Sequence, residues 1–161
     1  MQKLVLGFFL SISILGINLS QVREKYPKAW NSPEITEALF TSLSALKNTD
    51  NKVLFVYKGA VLTLKAKHAK GVKDKKAFFK EGATLIESAI NTSPDNLEMR
   101  FIRMTVQENA PKIVRYNKEI EKDKRFVLDN YTLSDDKVLK KIIKQYINTS
   151  TLFTEEEKQL F

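Results

Sequence analysis

The side chains that carry most enzyme and metal chemistry are sparse in this chain. There is one histidine, His68, and no cysteine. A zinc site made of cysteines and histidines is therefore excluded, as is any site built on several histidines. His68 stands among lysines in "KAKHAK", the setting of an exposed or partly packed helix residue. A Ser–His–Asp triad has only His68 to use, and no G-x-S-x-G stretch or other nucleophile turn accompanies it. Walker and dinucleotide glycine patterns are absent as well. Paired carboxylates can hydrolyse sugars, but Glu34, Glu37, Glu98, Glu108, Glu119 and Glu121 all fit the solvent faces of helices. These absences point away from an enzyme, and neither a metal nor a cofactor is expected.

Binding is better provided for. One candidate is the basic segment Lys65, Lys67, Lys70, Lys73, Lys75, Lys76 and Lys80, offset only by Asp74 and Glu81. Gathered in a loop at one end of a helical hairpin, these lysines would form a positive rim that attracts anionic lipid or polysaccharide. Each lysine close to a charged membrane contributes up to about 1 kcal/mol. The plainer reading is a solvated loop. The other candidate is "RFIRMTVQENAPKIVRYN", where Arg100, Arg103, Gln107, Asn109, Arg115, Tyr116 and Asn117 crowd together planar hydrogen-bonding groups. Arginine and tyrosine are the residues that anchor interfaces. Arg100 and Arg103 can equally pair with Glu119, Glu121 or Asp123 on a neighbouring helix, and the sequence leaves both readings open. Capture of a small carboxylate or phosphate by the two arginines would need a concave pocket.

The elements that must position these groups read as helices almost throughout. "NSPEITEALFTSLSALK" offers Ser32 as N-cap and Pro33 at the first helical position, with Ile35, Leu39, Leu43 and Leu46 on one face. A second helix starts from a cap at Thr49 or Asp50 and is apolar nearly all round between Val53 and Leu64, which predicts the most buried helix. A break at "GVKD" with Asp74 as cap leads to the third, "KKAFFKEGATLIESAIN". Ser93, followed by Pro94 and Asp95, is the expected start of the fourth, which ends before Pro111. Beyond it come a short helical turn, a helix from Asn117, a helix capped by Ser134, and a capping box at Thr154 and Glu157. The expected fold is all-α with about six or seven helices. Only Gly59, Gly71 and Gly82 lie outside the first twenty residues, too few glycines for a sheet protein rich in tight turns.

The first twenty residues differ in kind. One lysine precedes the uncharged run "LVLGFFLSISILGINL", and the first charges after it are Arg23, Glu24 and Lys25. That is the layout of a secretory signal peptide over residues 1–20, with a small residue for cleavage at Ser20 or Gly16; the alternative is an uncleaved anchor, for which the apolar run is a little shorter than the roughly 20 residues that span a bilayer. Residues 21–161 then form a single helical domain. Without cysteine the exported chain is neither disulfide-stapled nor a lipoprotein, so its core alone must hold it. The formal net charge of +8 loses only Lys3 with the leader. In an exported protein that charge points to anionic lipid, polysaccharide or an acidic protein face, not to nucleic acid.

A tetratricopeptide repeat sets small and large residues at fixed positions so that two helices approach closely. Phe55, Gly59 and Leu62 match the spacing of its first helix, and Gly82, Ile86, Ala89 and Pro94 that of its second helix and following joint. The best match runs over residues 52–96, with about eleven extra residues in "KAKHAKGVKDKK" that suggest an extended helix and an enlarged loop. "YKGAVLTLKAKHAK", "GATLIESAINTSPDNLEMRFIRMTVQENAP" and "RYNKEIEKDKRFV" together resemble the body of small exported, tetratricopeptide-like helical proteins of Bacteroidetes-type bacteria, over roughly residues 50–130. The resemblance implies stacked helical hairpins in an α-solenoid-like arrangement and an exported location. It carries no substrate and no catalytic residues. The resulting expectation is a non-catalytic protein-binding or scaffolding module of the periplasm or cell envelope, partnered by another envelope protein. The alternative is attachment to anionic lipid or polysaccharide through the lysine-rich loop.

Overall fold

The computed structural model describes residues 18–161. It shows eight α-helices, one more than the upper expectation, and a single 3₁₀ turn, with no strand among the described residues. The helices are α1 (Leu19–Ala29), α2 (Pro33–Leu43), α3 (Lys52–His68), α4 (Val72–Thr92), α5 (Leu97–Asn109), α6 (Ile120–Tyr131), α7 (Lys137–Ile147) and α8 (Glu155–Lys158); the 3₁₀ turn is Lys112–Val114. Residues 1–17, the body of the expected leader, lie outside the described residues. Leu19 and Ser20, assigned to the leader from sequence, belong to α1.

The helix starts follow local chemistry. Asn18 caps α1 by accepting a hydrogen bond from the Gln21 amide at 2.9 Å. The helix runs through Pro27, placed in its last turn, and no helix before Ser32 is among the expected elements. Ser32 and Pro33 open α2 as expected, and Thr154 with Glu157 forms the capping box of α8. Three other caps fall one to three residues later than expected. Asn51 caps α3, because the Asp50 carboxylate is already held by the Lys47 amide at 2.8 Å. Asp136, not Ser134, caps α7 through the Leu139 amide at 2.9 Å. Asn96 caps α5 through the Met99 amide at 3.0 Å. Ser93 instead closes α4, since Pro94 forces the residue before it out of the helical region, here to φ −151 and ψ 67.

The segment expected as an extended helix followed by an enlarged lysine-rich loop does extend the first helix of that pair, but its loop is not enlarged. α3 continues to His68 and α4 begins at Val72, so the surplus residues lengthen both helices and only three residues connect them. Gly71 takes the N-cap position, while Asp74 lies in the first turn, where its charge suits the helix dipole.

α3 and α4 pack along each other more extensively than any other pair. Gly59 and Gly82 meet backbone to backbone at their crossing. A β-carbon on Gly59 would stand 2.6 Å from the Gly82 carbonyl oxygen, and one on Gly82 would stand closer still to the Gly59 oxygen. Each helix packs on the next in chain order from α1 to α6, and α3 also touches α1 and α5. The core collects Val22, Leu39, Val56, Ile86, Met99 and Ile102 from these layers, and Ile143 from α7. α3 is deeply buried, as its apolar run predicts. α5 is buried without interruption from Glu98 to Gln107, although it carries Glu98, Arg100 and Arg103. Those charges are satisfied by partners far away in sequence, described next.

Candidate functional site

A half-open groove of about 2,320 Å³ runs between the helices. One stripe of α4 forms a wall: Val72, Lys75, Lys76, Phe79, Lys80, Ala83 and Glu87 recur at helical spacing along it. Ile102 and Val106 of α5 and Leu64 and Ala66 of α3 contribute to the floor, while Tyr26 and Pro27 of α1 and Val138, Ile142 and Tyr146 of α7 line the remaining sides. Most of the large apolar side chains that remain exposed gather here. Trp30, Val72 (83% exposed), Ile113 (89%), Val114 and Val138 all line it. Five of the seven exposed large apolar residues among the described residues thus share one concavity and are not scattered singly over the surface.

The basic segment divides around this groove. Lys67, Lys75, Lys76 and Lys80 line it, and Lys141 of α7 joins them. Lys75, Lys76, Lys80 and Lys141 are exposed and have no carboxylate partner among the described residues. Lys67 lies over the Trp30 ring, 3.6 Å from its centre, and burial lowers its pKa from the usual lysine value. Lys65 is engaged elsewhere, with Glu37 at 2.8 Å and the Phe40 ring at 3.7 Å. Lys70 and Lys73 are exposed outside the groove. His68 holds α3 to α1 through Nε2 and the Ala29 carbonyl, 3.1 Å apart. No group of acidic or histidine side chains suited to a metal ion occurs among the described residues.

The seven planar residues of α5 and the following turn separate into two groups. Arg100 and Arg103 belong to a buried ion cluster around Asp123 of α6, which is 0% exposed. Arg103 donates from Nε to Oδ2 at 2.6 Å and from Nη2 to Oδ1 at 2.8 Å, and Arg100 donates to Oδ1 from Nε. Glu87 takes the remaining side of Arg103 at 2.7 Å. Burial alone would lower the pKa of Arg103, but Asp123 and Glu87 outweigh it and hold the guanidinium charged. Arg100 also donates to the Pro94 and Lys122 carbonyls and packs over the Phe126 ring. These two arginines therefore join α5 to α6 and do not face the groove. Asn109 donates to the Thr105 carbonyl and to the Tyr146 hydroxyl, which in turn donates to Glu108. Tyr116 donates to Glu87 at 2.6 Å; burial first, then this bond, pushes its pKa well above the ordinary tyrosine value. Gln107, Arg115 and Tyr116 line a second, smaller cavity, and Asn117 is exposed on the turn before α6.

A second buried cluster has no local sequence signal. Arg23 of α1 donates to both oxygens of Glu98 at 2.7 and 2.6 Å and to Asp136 at 2.8 Å, and the Tyr57 hydroxyl donates to Glu98 at 2.9 Å. Glu98 is 4% exposed, not on a solvent face as its surroundings in sequence suggest. The cluster ties α1, α3, α5 and the cap of α7 together beside the groove. No family model matches the chain, and no curated protein and no solved structure shows significant similarity to it.

Proposed function

We propose that the protein is an exported, non-catalytic docking module of the periplasm or cell envelope, and that its groove receives an acidic amphipathic helix of a partner protein. The carrying observation is the combination of apolar lining and four unpaired lysines, Lys75, Lys76, Lys80 and Lys141, on the same concavity. The volume exceeds the roughly 300–1,000 Å³ typical of small-ligand pockets, and suits a few helical turns of a partner laid into a groove. The succession of helices, with α3 against both α1 and α5, supports a tetratricopeptide-like stacking, in which concave faces bind. The chain's basic charge and expected leader support a partner met outside the cytosol. Lysines spread along an apolar wall favour an amphipathic helix over a polysaccharide, which offers no apolar face.

The test is fluorescence anisotropy with three labelled peptides of equal length: a Leu/Glu amphipathic helix, its Leu/Lys counterpart and a scrambled Leu/Glu sequence. The acidic helix binds, with an affinity that falls as salt rises. Substituting Lys75, Lys76 and Lys80 by glutamine weakens it about tenfold, from three exposed pairs at about 0.5 kcal/mol each. Equal binding of the basic or scrambled peptide overturns the reading. Binding only to anionic vesicles moves the function to the lipid alternative.

A further inference from the structure

The charge of the groove is uneven along its length. On the α4 wall, Lys75, Lys76 and Lys80 all fall in the first half of the helix. The second half lines the groove with Ala83, Thr84, Glu87 and Ser88 and carries no cation. Glu87 is already occupied by Arg103 and Tyr116. Elsewhere in the lining, Lys28 and Glu24 pair with each other at 2.9 Å, and Arg23 is taken by Glu98 and Asp136. Lys141 stands midway along α7. The unpaired positive charge of the lining, among the described residues, therefore lies toward the end where α4 begins.

The other helices that line the groove, α1, α3, α5 and α7, run in one direction. In their first halves, Arg23 of α1, Tyr57 of α3, Glu98 of α5 and the α7 cap Asp136 meet in a single cluster. At their far ends, His68 of α3 stands 3.1 Å from the Ala29 carbonyl of α1, and Asn109 of α5 bonds to Tyr146 of α7 at 2.9 Å. α4 turns back from the tip of α3, so its lysines stand at the end where these four helices finish. Helix ends of that kind carry partial negative charge, while a helix N-terminus carries partial positive charge and free N–H groups. The N-terminus of a docked helix is attracted to that end of the groove, and a C-terminus is repelled from it. Carboxylates in the first turns of such a helix are stabilised by its own dipole and also meet Lys75, Lys76 and Lys80. The same carboxylates in its last turns reach those lysines only with the helix reversed, against both dipole effects.

We propose that the partner segment is an acid-first amphipathic helix, its carboxylates gathered in its first two turns, and that it lies antiparallel to α1, α3, α5 and α7 with its N-terminus beside Val72 and Trp30. This rests on the docking reading and adds to it the polarity of the bound helix and the order of its charges.

Trp30, the only tryptophan, caps the end of α1 at the groove and serves as a native energy-transfer donor. The probes are two tryptophan-free Leu/Glu peptides of the same composition, one with its glutamates in the first two turns and one with them in the last two. Both are held helical by side-chain lactam bridges, so that the free peptides are equally ordered, and each is made with a dansyl group on its N-terminus or on its C-terminus. A helix of about 18 residues is about 27 Å long, which separates the two label positions clearly. Transfer from Trp30 to the acid-first peptide is strong with the N-terminal label and weak with the C-terminal one. That peptide binds at least about fivefold more tightly than the acid-last peptide. Replacing Lys75, Lys76 and Lys80 by glutamine removes most of the difference between the two peptides, and an undiminished difference overturns the charge argument. Equal transfer from both labels of the bound acid-first peptide, or stronger transfer to its C-terminal label, overturns the polarity and leaves docking standing. Absence of binding by either peptide overturns the docking reading and this proposal with it.

Discussion

Asp123→Asn is the most informative single perturbation of the fold. Asp123 sits in the first turn of α6, 0% exposed, and is the only carboxylate shared by Arg100 and Arg103, whose side chains are also almost wholly buried. Asparagine keeps the shape but removes the charge, and its amide N–H₂ turns a donor toward guanidinium donors. Two buried cations are then left with Glu87 alone. Removing one member of a buried ion pair costs about 3–5 kcal/mol. At about 2–4 °C per kcal/mol for a chain of this size, the midpoint of thermal unfolding falls by about 6–20 °C. Urea unfolding followed by circular dichroism checks it, and an unchanged slope confirms that stability itself, not the unfolded state, has changed. The companion variant Arg100→Met, Arg103→Met, Asp123→Leu removes all three charges together and stays within about 2 kcal/mol of the wild type. A loss below about 1 kcal/mol for Asp123→Asn would refute the reasoning: the arginines would then be held by something other than Asp123.

Three further outcomes follow from the geometry. Gly82→Ala gains about 1 kcal/mol of helix propensity but drives a β-carbon into the Gly59 carbonyl, so the variant is destabilised by about 1–3 kcal/mol; stabilisation in urea would contradict the close crossing of α3 and α4. Asp136 has a pKa held below the usual aspartate value, first by the Leu139 amide and then by Arg23. Its contribution is therefore present above the unfolded value near 3.9 and lost as pH falls through the lower folded value. Asp136→Asn keeps a competent cap, so it is less stable than the wild type at pH 6, and the gap closes as pH drops below about 4. If the expected leader is removed, cleavage after Gly16 keeps Asn18, the cap of α1, whereas cleavage after Ser20 removes it and costs about 1 kcal/mol of stability; comparing the thermal midpoints of chains that begin at Ile17 and at Gln21 checks this, and equal midpoints would refute it.

What could be read from sequence was what adjacent residues decide. Ser32 before Pro33, and Thr154 three residues before Glu157, form their caps from within one turn, and the Gly59 and Gly82 spacings reflect a close crossing between neighbouring helices. Where several competent caps stand together the choice was harder to read: Pro94 makes Ser93 the end of α4 and leaves the cap of α5 to Asn96, and at Ser134 to Asp136 the cap falls to Asp136, which also bonds to the distant Arg23. The extension of α3 into the lysine run was legible, but the enlarged loop was not there, because lysine is a good helix former and α4 begins already at Val72. Arg23 and Glu98 are 75 residues apart and Arg23 and Asp136 are 113 apart, so no local pattern reveals their cluster. The pairing of Arg100 and Arg103 with an acidic residue of the next helix was one of two readings the sequence left open; that Asp123 is the partner and that the cluster is buried depends on how α6 returns across α5. The groove was hidden for a similar reason: Val72, Phe79 and Ala83 form a regular apolar stripe on α4, and only the arrangement of neighbours leaves that stripe uncovered.

Trp30, the only tryptophan, sits at the groove beneath Lys67 and reports its occupancy directly. The decisive measurement is its emission during titration with a tryptophan-free acidic amphipathic helix. The account predicts a saturable shift to shorter wavelength that weakens with added salt and with Lys75, Lys76 and Lys80 replaced by glutamine. An emission maximum that stays fixed at saturating peptide, or shifts equally with the basic counterpart, would contradict the groove as a docking site.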